Sequence, residues 1–479
     1  MLLVAAPTGL LPAGVASAAV GGPTVTGPVT GSSAAPSLYS TNFDLGKVGY
    51  EESEFFLSGT ASSYTSATPL TSDGRWTVTA DASAPYTTRA VIRRPVDPKK
   101  FNGTVVVEWL NVSGGTDAAP DWTLAHNELI REGFAWVGVS AQSVGVNAAK
   151  KADPARYAPL SHPGDSFSYD IFSQVGQSVR AHSALMLDGL VPHKLIAAGE
   201  SQSAARLVTY INAVHPLVHV YDGFLVHSRF ASGTPLSQAP QANVPAPSTT
   251  TLRNDLRVPV FVFETETDVA GSNLADRQPD TNRFRLWEVA GTSHFDYYGL
   301  IIGPADTGDG QGAVLNLAAM QNPPSNPPPG FACALPINTG GTHWVLDAAF
   351  HWLNQWVVKG IAPPIAQPLR TTGVSPVVFA RDANGNVLGG VRSPQVDAPI
   401  AALGGVGNSG TGSPLGVSCP LFGTTVPFSA SQLASLYDSH GKFVARWDLA
   451  ALHNVGRGFL LLPDAVELMH SAAASPIGK

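Results

Sequence analysis

The stretch from Lys194 to Val214 constrains the fold of this chain more than any other. It begins with a short apolar run, Leu195 to Ala198, which indicates a buried strand, and its second half repeats apolar residues at helical spacing. Between the two lies Gly199-Glu-Ser-Gln-Ser203. A serine at a tight turn between a strand and a helix is typical of a nucleophile elbow, in which the hydroxyl stands clear of the sheet. The pattern therefore predicts that Ser201 is a nucleophile.

The residues beside Ser201 support this interpretation. Strand and helix pass close to each other at such a turn, so small residues are needed two positions before and after the serine. Gly199 fits, and Ser203 replaces a second glycine with another small side chain. The N-terminus of the following helix favours a developing negative charge. The alternative interpretation is an ordinary strand-to-helix turn that contains a serine.

The remaining apolar patterns predict strands that alternate with helices. Strands are predicted at residues 104–110, 134–139, 195–198, 220–226, 258–263 and 284–289, and helices at 121–132, 169–190, 204–214 and 343–358. Two further β-rich runs, 49–59 and 86–95, are expected to form a leading antiparallel pair. This alternation predicts an α/β fold with a mostly parallel central sheet of about eight strands and helices on both faces.

About eight strands fit in one sheet, so we expect a single catalytic domain at residues 41–479 rather than several domains. Two long insertions, residues 229–257 and 297–341, are expected on the active-site side. Loops of that length commonly serve as lids or binding loops. Residues 361–479 follow as a C-terminal extension with strand-like and helical pieces.

The N-terminal residues indicate export. Residues 1–18 are apolar and end in Ala-Ser-Ala, which resembles the late part of a secretory signal peptide, although the basic segment that usually comes first is missing. Residues 19–40 are rich in Gly, Pro, Ser and Thr and are expected to be a linker or surface arm. We therefore predict a secreted or extracytoplasmic protein, the alternative being a disordered Ala-rich N-terminus.

Composition argues against several partners. Only 13% of the residues are charged and the net charge is −7, with no basic run that would favour nucleic acid. No later apolar run reaches the ~18 residues that a membrane span needs. We therefore expect neither a nucleic-acid partner nor a membrane span. No pattern predicts the oligomeric state. The two cysteines, Cys333 and Cys419, are expected to form a disulfide in an exported chain, the alternative being two buried thiols.

A serine hydroxyl is a weak nucleophile and needs a general base, which in turn needs orienting. In this kind of strand-turn-helix site the partners follow in the order serine, acid, histidine, at the ends of later strands. The strand at 284–289 leads through Gly291 to His294. Among the 13 histidines, His294 has both the expected order and the expected context, so we predict that it is the base.

Three acids compete for the orienting role, because the strand at 258–263 runs directly into Glu264-Thr-Glu-Thr-Asp268. Asp268 is preferred, since it lies far enough past the strand end to reach back to a histidine. Glu266 is the first alternative and Glu264 the second. At least two of the three are expected to be ordinary loop acids.

The developing oxyanion needs two hydrogen-bond donors. One is expected to be the backbone N–H of Gln202, which follows the nucleophile. The other is expected in the loop after the strand at 104–110, which has the Gly-rich sequence Asn111-Val-Ser-Gly-Gly115. Asn111 or Val112 is the candidate, although a simple β-to-α loop has a similar composition.

No pattern indicates a metal or a cofactor. No His-x-x-x-His segment is paired with a suitable acid, and the cysteines are far apart in sequence. No Gly-x-Gly-x-x-Gly follows a predicted strand, so a dinucleotide site is not indicated either. We therefore predict chemistry that needs neither a metal nor a cofactor.

Three segments that hold the candidate residues resemble the α/β-hydrolase superfamily: residues 199–203, 264–268 and 291–294. Four flanking segments are similar to the alpha/beta hydrolase domain-containing family: residues 49–61, 108–115, 222–228 and 389–399. The resemblance covers nearly everything after about Gly27. It implies an α/β-hydrolase fold with Ser201, His294 and either Asp268 or Glu266 in the matching positions, but it implies no particular substrate.

Together, these residues and the resemblance predict an exported serine hydrolase that acts on small-molecule or polymeric carboxylic esters. An acyltransferase or a peptidase could use the same three residues. A binding protein with the same fold but without catalysis is the alternative from another class. An intact set of Ser201, an acid and His294 in the expected order argues against that last alternative.

Overall fold

A mixed β-sheet forms the centre of the computed structural model, which describes residues 22–29, 35–271, 273–324, 330–412 and 414–479. Its nine strands within the described residues are β1 (Thr24–Thr26), β2 (Tyr50–Thr65), β3 (Thr79–Pro95), β4 (Thr104–Trp109), β5 (Ala135–Val139), β6 (Lys194–Glu200), β7 (Gly223–His227), β8 (Val260–Thr265) and β9 (Phe284–Val289). Their spatial order is β1-β2-β3-β5-β4-β6-β7-β8-β9. The predicted signal segment, residues 1–18, lies outside the described residues.

The sheet is parallel from β5 through β4, β6, β7 and β8 to β9, whereas β1, β2 and β3 are antiparallel to their neighbours. The predicted mostly parallel sheet is thus confirmed, with nine described strands instead of about eight. The extra strand is β1, which lies in the segment predicted to be a linker. It pairs with β2 through Thr24 and Ser58 at the sheet edge.

Helices flank the sheet and connect its strands. The α-helices are α1 (Pro120–Arg131), α2 (Ser143–Ala152), α3 (Ser168–Ala181), α4 (Ser183–Met186), α5 (Gln202–Thr209), α6 (His215–Val218), α7 (Glu266–Gly271), α8 (Gln311–Gln321), α9 (Thr342–Lys359), α10 (Pro394–Asp397), α11 (Ala430–Leu436), α12 (His440–Arg457) and α13 (Leu462–Ala474). The helix predicted at 169–190 instead ends at Ala181, and the chain then turns through Asp188 and Gly189, both at positive φ. None of the described helices combines the length and apolarity needed to cross a bilayer.

Side chains of the central strands alternate between two apolar cores. Val105 and Val107 of β4 pack on the side that carries α3 and α5. Val106 between them packs on the opposite side, against α1 and α9. All three are fully buried. A parallel strand covered on both faces needs an uninterrupted apolar sequence, and this explains the Val-Val-Val run of β4.

The C-terminal extension builds a third apolar cluster beside the sheet. Trp344 of α9 packs there with Phe443 and Trp447 of α12 and with Leu468 of α13. Two small antiparallel hairpins belong to the extension: β10 (Thr371–Val374) with β11 (Val377–Phe379), and β12 (Ala401–Gly404) with β13 (Thr424–Pro427). The extension therefore packs directly on the helices that cover the sheet.

A disulfide joins Cys333 to Cys419, as the cysteine content predicts, with the two Cα atoms 5.5 Å apart. It connects the insertion at 297–341 to the C-terminal extension. Ile337 and Phe422 pack around the bridge in a small apolar cluster. The bond closes a loop of 86 residues.

Replacing both Cys333 and Cys419 by alanine is expected to lower the free energy of unfolding by about 4 kcal/mol. An open chain gains the loop-closure entropy that the bond removes from the unfolded state. Urea unfolding of the oxidised protein and the double variant, followed by tryptophan fluorescence, measures the difference. Wild-type protein unfolded under reducing conditions is the control and should match the variant. A difference below about 1 kcal/mol would contradict the prediction.

Candidate active site

Ser201 lies at the turn between β6 and α5. Its backbone has φ 61° and ψ −119°, a region that residues other than glycine rarely adopt. The Ser201 N–H donates to the carbonyl oxygen of His227 at 2.9 Å, which fixes the turn against the end of β7. The residue is only 7% exposed. A strained backbone held in this way presents the hydroxyl above the sheet edge in a defined direction.

The close approach expected around Ser201 is present. A Cβ atom on Gly199 would lie 3.1 Å from the backbone carbonyl carbon of Ser203, tighter than ordinary contact. Ser203 itself is fully buried at the start of α5. A side chain at 199 would therefore force its neighbours to shift, whereas serine is small enough at 203.

His294 follows β9 after a turn in which Gly291 has φ +72°. The backbone N–H of His294 donates to Thr267 Oγ1 at 3.0 Å. On one side of the ring, Nε2 lies 2.7 Å from Ser201 Oγ. On the other side, Nδ1 lies 2.6 Å from Asp268 Oδ1. Serine, histidine and aspartate thus form one continuous hydrogen-bonded chain.

Asp268 lies in the first turn of α7, directly after β8. Its second oxygen, Oδ2, accepts hydrogen bonds from the Thr265 N–H at 2.8 Å, from Thr265 Oγ1 at 2.6 Å and from Ser228 Oγ at 2.7 Å. Burial alone would raise the pKa of Asp268, but the charge and hydrogen bond of His294 and the bonds from Thr265 lower it overall. The carboxylate therefore stays ionised, as a group that orients an imidazolium must.

The two alternative acids are placed differently. The carboxylate of Glu266 accepts from the backbone N–H groups of Gly291 at 2.6 Å and Gly405 at 2.9 Å. It therefore ties the turn before His294 to the C-terminal extension, and burial raises its pKa to about 7. Glu264 is buried, and burial followed by the charge of Asp268 raises its pKa well above the usual value.

The candidate oxyanion donors differ in whether their backbone N–H groups are already hydrogen-bonded. The backbone N–H of Asn111 is engaged, because it donates to the carbonyl oxygen of Ala118 at 2.9 Å. The expectation that Asn111 offers this N–H is therefore wrong. By contrast, neither the Val112 N–H nor the Gln202 N–H donates to any other residue that the structure describes. Val112 and Gln202 thus keep free donors on the two segments where they are expected.

An additional carboxylate lies against His294. Glu200 Oε1 is 3.3 Å from His294 Nε2, the atom that also faces Ser201. The side-chain amide of Asn111 donates to Glu200 Oε2 and to its carbonyl oxygen, both at 3.1 Å. Burial raises the pKa of Glu200 to about 7, although the charge of His294 opposes the shift. Burial would lower the pKa of His294, but the charges of Asp268 and Glu200 raise it to about 9.

A family profile places this chain among known proteins. A sequence profile for the family described as "Alpha/beta hydrolase domain" matches residues 25–470. The chain belongs to this alpha/beta hydrolase family. None of the curated proteins compared with it gives a match.

Several solved structures of esterases show limited likeness to this alpha/beta hydrolase. An esterase from Rhizomucor miehei is 16% identical with a TM-score of 0.24, and the match covers 38% of this chain and 62% of that one. The esterase Est22 is 15% identical with a TM-score of 0.27, and the match covers 46% of this chain and 65% of that one. A thermostable esterase from Pseudomonas putida is 12% identical with a TM-score of 0.24, and the match covers 47% of this chain and 66% of that one. Likeness at this level says nothing about the substrate of the present chain.

The site of this alpha/beta hydrolase includes residues that the sequence patterns did not single out. Phe230, at the start of the insertion 229–257, stacks on His294 with ring centroids 5.6 Å apart, and it is 40% exposed. Ser228 follows β7 and bonds Asp268. Glu200 had the clearest local signal, because it directly precedes the predicted nucleophile. Phe230 and Ser228 follow the end of a central strand, which is where such a sheet presents its site.

Proposed function

We propose that this alpha/beta hydrolase is a serine hydrolase acting on carboxylic esters through an acyl-enzyme intermediate. The observation that supports the proposal is the continuous hydrogen-bonded chain from Ser201 through His294 to Asp268. The serine lies on a strained turn at the N-terminus of a helix. A buried aspartate that stays ionised and a histidine placed between it and the serine are the polar partners that such a nucleophile needs.

In the first half of the reaction, Ser201 Oγ attacks the ester carbonyl carbon while His294 Nε2 takes the hydroxyl proton. Asp268 accepts a hydrogen bond from Nδ1, which fixes the ring and stabilises its charged form. The imidazolium then donates its proton to the leaving alkoxide as the tetrahedral intermediate collapses. The products of this half are the free alcohol and an ester between the acyl group and Ser201.

The negative charge on the carbonyl oxygen needs donors that do not have to move. We assign this role to the backbone N–H groups of Gln202 and Val112, the two free donors described above. Preorganised amides of this kind typically contribute several kcal/mol to the stability of a transition state. The N-terminus of α5 adds a favourable dipole at the same place.

In the second half, water attacks the acyl carbon and His294 takes its proton. The tetrahedral intermediate collapses and expels Ser201 Oγ, which recovers the proton from His294. The carboxylic acid leaves and the resting enzyme returns. An alcohol or amine in place of water would give acyl transfer, and an amide substrate would give peptide hydrolysis.

A fluorophosphonate probe tests the proposal directly. We expect one covalent adduct per chain, located on Ser201 by mass spectrometry of a digest. A panel of p-nitrophenyl esters of increasing acyl length should then show turnover, with added alcohol acceptors to detect acyl transfer and peptide anilides to detect amide cleavage. An unlabelled Ser201 together with no turnover would favour the non-catalytic alternative and refute the proposal.

We also propose that the chain is exported and that residues 41–479 act as one domain. The bond between Cys333 and Cys419 supports export, because disulfides persist mainly in oxidising compartments. The bond from Glu266 to Gly405 supports a single domain, because it joins the hydrolase part to the extension. Fractionation of expressing cells, with the disulfide state checked before reduction, tests the localisation.

Glu200→Gln is expected to shift the pH dependence of kcat/KM toward acid. Activity requires neutral His294, so kcat/KM should rise with pH through its pKa of about 9. The Glu200 carboxylate favours the imidazolium, and its removal should move the midpoint of the rise down by about 1 unit. A pH profile measured with a neutral ester, together with an NMR titration of the imidazole, checks this result.

Glu266→Gln serves as the matched control for that experiment. Its carboxylate is also buried but bonds backbone amides instead of the histidine, so the midpoint should stay at the wild-type value. An unchanged midpoint in Glu200→Gln would show that Glu200 does not act on the charge of His294.

A further inference from the structure

A histidine and two glutamates converge where the end of α1 meets the middle of α9. His351 Nδ1 lies 3.2 Å from Glu128 Oε1 and 3.7 Å from Glu132 Oε1. The three candidate ligand atoms all lie within 4.8 Å of one another. Glu128 is fully buried, while the side chains of His351 and Glu132 are 24% and 39% exposed. One side of the group is therefore buried in the core, and the other side is open to solvent.

The two separations from His351 Nδ1 are compatible with a tetrahedral ion. Ligand bonds of about 2.0–2.1 Å place neighbouring ligand atoms about 3.3–3.4 Å apart at the tetrahedral angle. The two distances from the His351 nitrogen lie on either side of that value. Glu128 lies in the last turn of α1, Glu132 directly follows that helix, and the imidazole comes from α9. A fourth position would face the exposed side, where water can bind.

Several buried carboxyl groups surround Arg131 beside this cluster. Arg131 pairs with Glu128 Oε2 at 2.6 Å and with Asp464 Oδ1 at 2.8 Å. Asp347, one turn before His351 on the same face of α9, is fully buried, and neither of its oxygens accepts a hydrogen bond from the described residues. The second oxygen of Asp464 is likewise without such a bond in the described part of the chain. Burial disfavours the ionised form of such carboxyl groups, and a divalent cation held by Glu128 would oppose that effect.

We propose that Glu128, Glu132 and His351 bind a divalent transition-metal ion of the Zn²⁺ type. An imidazole combined with two carboxylates suits Zn²⁺, and Mn²⁺ is the next candidate. Ca²⁺ and Mg²⁺ prefer ligand sets made only of oxygen, so the histidine disfavours them. Glu128 Oε1 is available for this role, because Arg131 uses the other oxygen of the same carboxylate.

The ion would act as a structural link between α1 and α9. Those two helices cover the same face of the sheet. The site lies at the C-terminal end of α1, whereas Asp121, which bonds His227 at the end of β7, lies at the other end. A rise of 1.5 Å per residue puts about 15 Å between the two ends. The expected effect is therefore on stability rather than on the chemistry at Ser201.

The test uses the full chain without an affinity tag, treated with a chelator and dialysed. Isothermal titration with ZnCl₂, MnCl₂ and CaCl₂ should give one Zn²⁺ per chain, weaker Mn²⁺ binding and no Ca²⁺ binding. Zn²⁺ should also raise the melting temperature. Both His351→Ala and Glu132→Gln should weaken Zn²⁺ binding by at least about 10-fold, since even outer partners of a metal ligand contribute that much.

Glu132 is exposed, so Glu132→Gln should fold normally even if the histidine variant does not. His453→Ala, which removes an exposed histidine on α12, is the matched control and should bind Zn²⁺ like the wild type. Absence of stoichiometric Zn²⁺ binding would mean that His351 holds only a proton between the two carboxylates, and would overturn the proposal. Equal binding by Glu132→Gln and wild type would also overturn it, because the ion would then lie elsewhere.

Discussion

Ser201→Ala is expected to lower kcat for ester hydrolysis by about 10⁴-fold or more with the fold intact. Loss of the hydroxyl disables the whole hydrogen-bonded unit, because His294 and Asp268 then have no nucleophile to activate. What remains is the contribution of the oxyanion donors and of substrate binding. Stopped assays on a p-nitrophenyl ester, with circular dichroism to check folding, give the ratio.

Ser203→Ala is the matched control, since the two serines lie in the same turn. The Ser203 hydroxyl is buried and bonds no other described residue, so its removal should change kcat by less than about threefold. The assignment of Ser201 as the nucleophile would be refuted by an alanine variant that keeps a tenth of the wild-type rate.

Asp268→Asn is expected to lower kcat by about 10³-fold to 10⁴-fold. An asparagine at this position still fills the space, but it can present its amide to His294 Nδ1 and so favour the wrong tautomer. It also weakens the bonds that Thr265 and Ser228 now donate to the carboxylate. Steady-state kinetics at a pH where the wild type is fully active measure the loss.

Glu266→Gln separates the two acids experimentally. Its carboxylate holds the amides of Gly291 and Gly405, so the variant should lose stability before it loses turnover, with kcat within about tenfold of the wild type. The reverse ranking, with Glu266→Gln inactive and Asp268→Asn mildly affected, would transfer the role to Glu266. Mild effects in both variants would exclude both acids.

Ser201 and His294 could be predicted from sequence because their signals are local. A short apolar run, a small residue on each side and the following helical spacing together define the turn around Ser201. A strand, a glycine turn and a histidine do the same for His294. In a parallel sheet the ends of successive strands meet at one edge, so local patterns also predict which segments come together.

The sequence favours Asp268 among the three acids but does not settle the choice. Glu264, Glu266 and Asp268 lie within five residues, and which one reaches His294 depends on the direction in which α7 begins. The proximity of Phe230 to the histidine ring is set by the path of a long insertion, which no local pattern predicts. The link between Glu266 and Gly405 joins residues that are far apart in sequence.

The helices differ in how clearly the sequence predicts them. The sequence of α8 is apolar around most of its circumference, so it has no periodic face to detect. The tail helix α12 repeats Phe443, Trp447 and Ala451 every fourth residue on its buried side, so its sequence does carry a helical signal. The proposed metal-ligand group at the end of α1 shows only the four-residue spacing of Glu128 and Glu132 in the sequence, because its histidine comes from a separate helix.

The bond from Glu266 to Gly405 limits how this protein can be shortened. One carboxylate holds both the turn that carries the base and a residue of the C-terminal extension. Asn338 adds a second link, because its side-chain amide donates to the carbonyl oxygens of Gly291 and Gly404, both at 3.1 Å. A version trimmed after α9 for expression or engineering would keep every candidate catalytic residue and still lose the support of its base. The extension also cannot be exchanged between relatives by itself. Its partners, Glu266 and Asn338, would have to be exchanged with it.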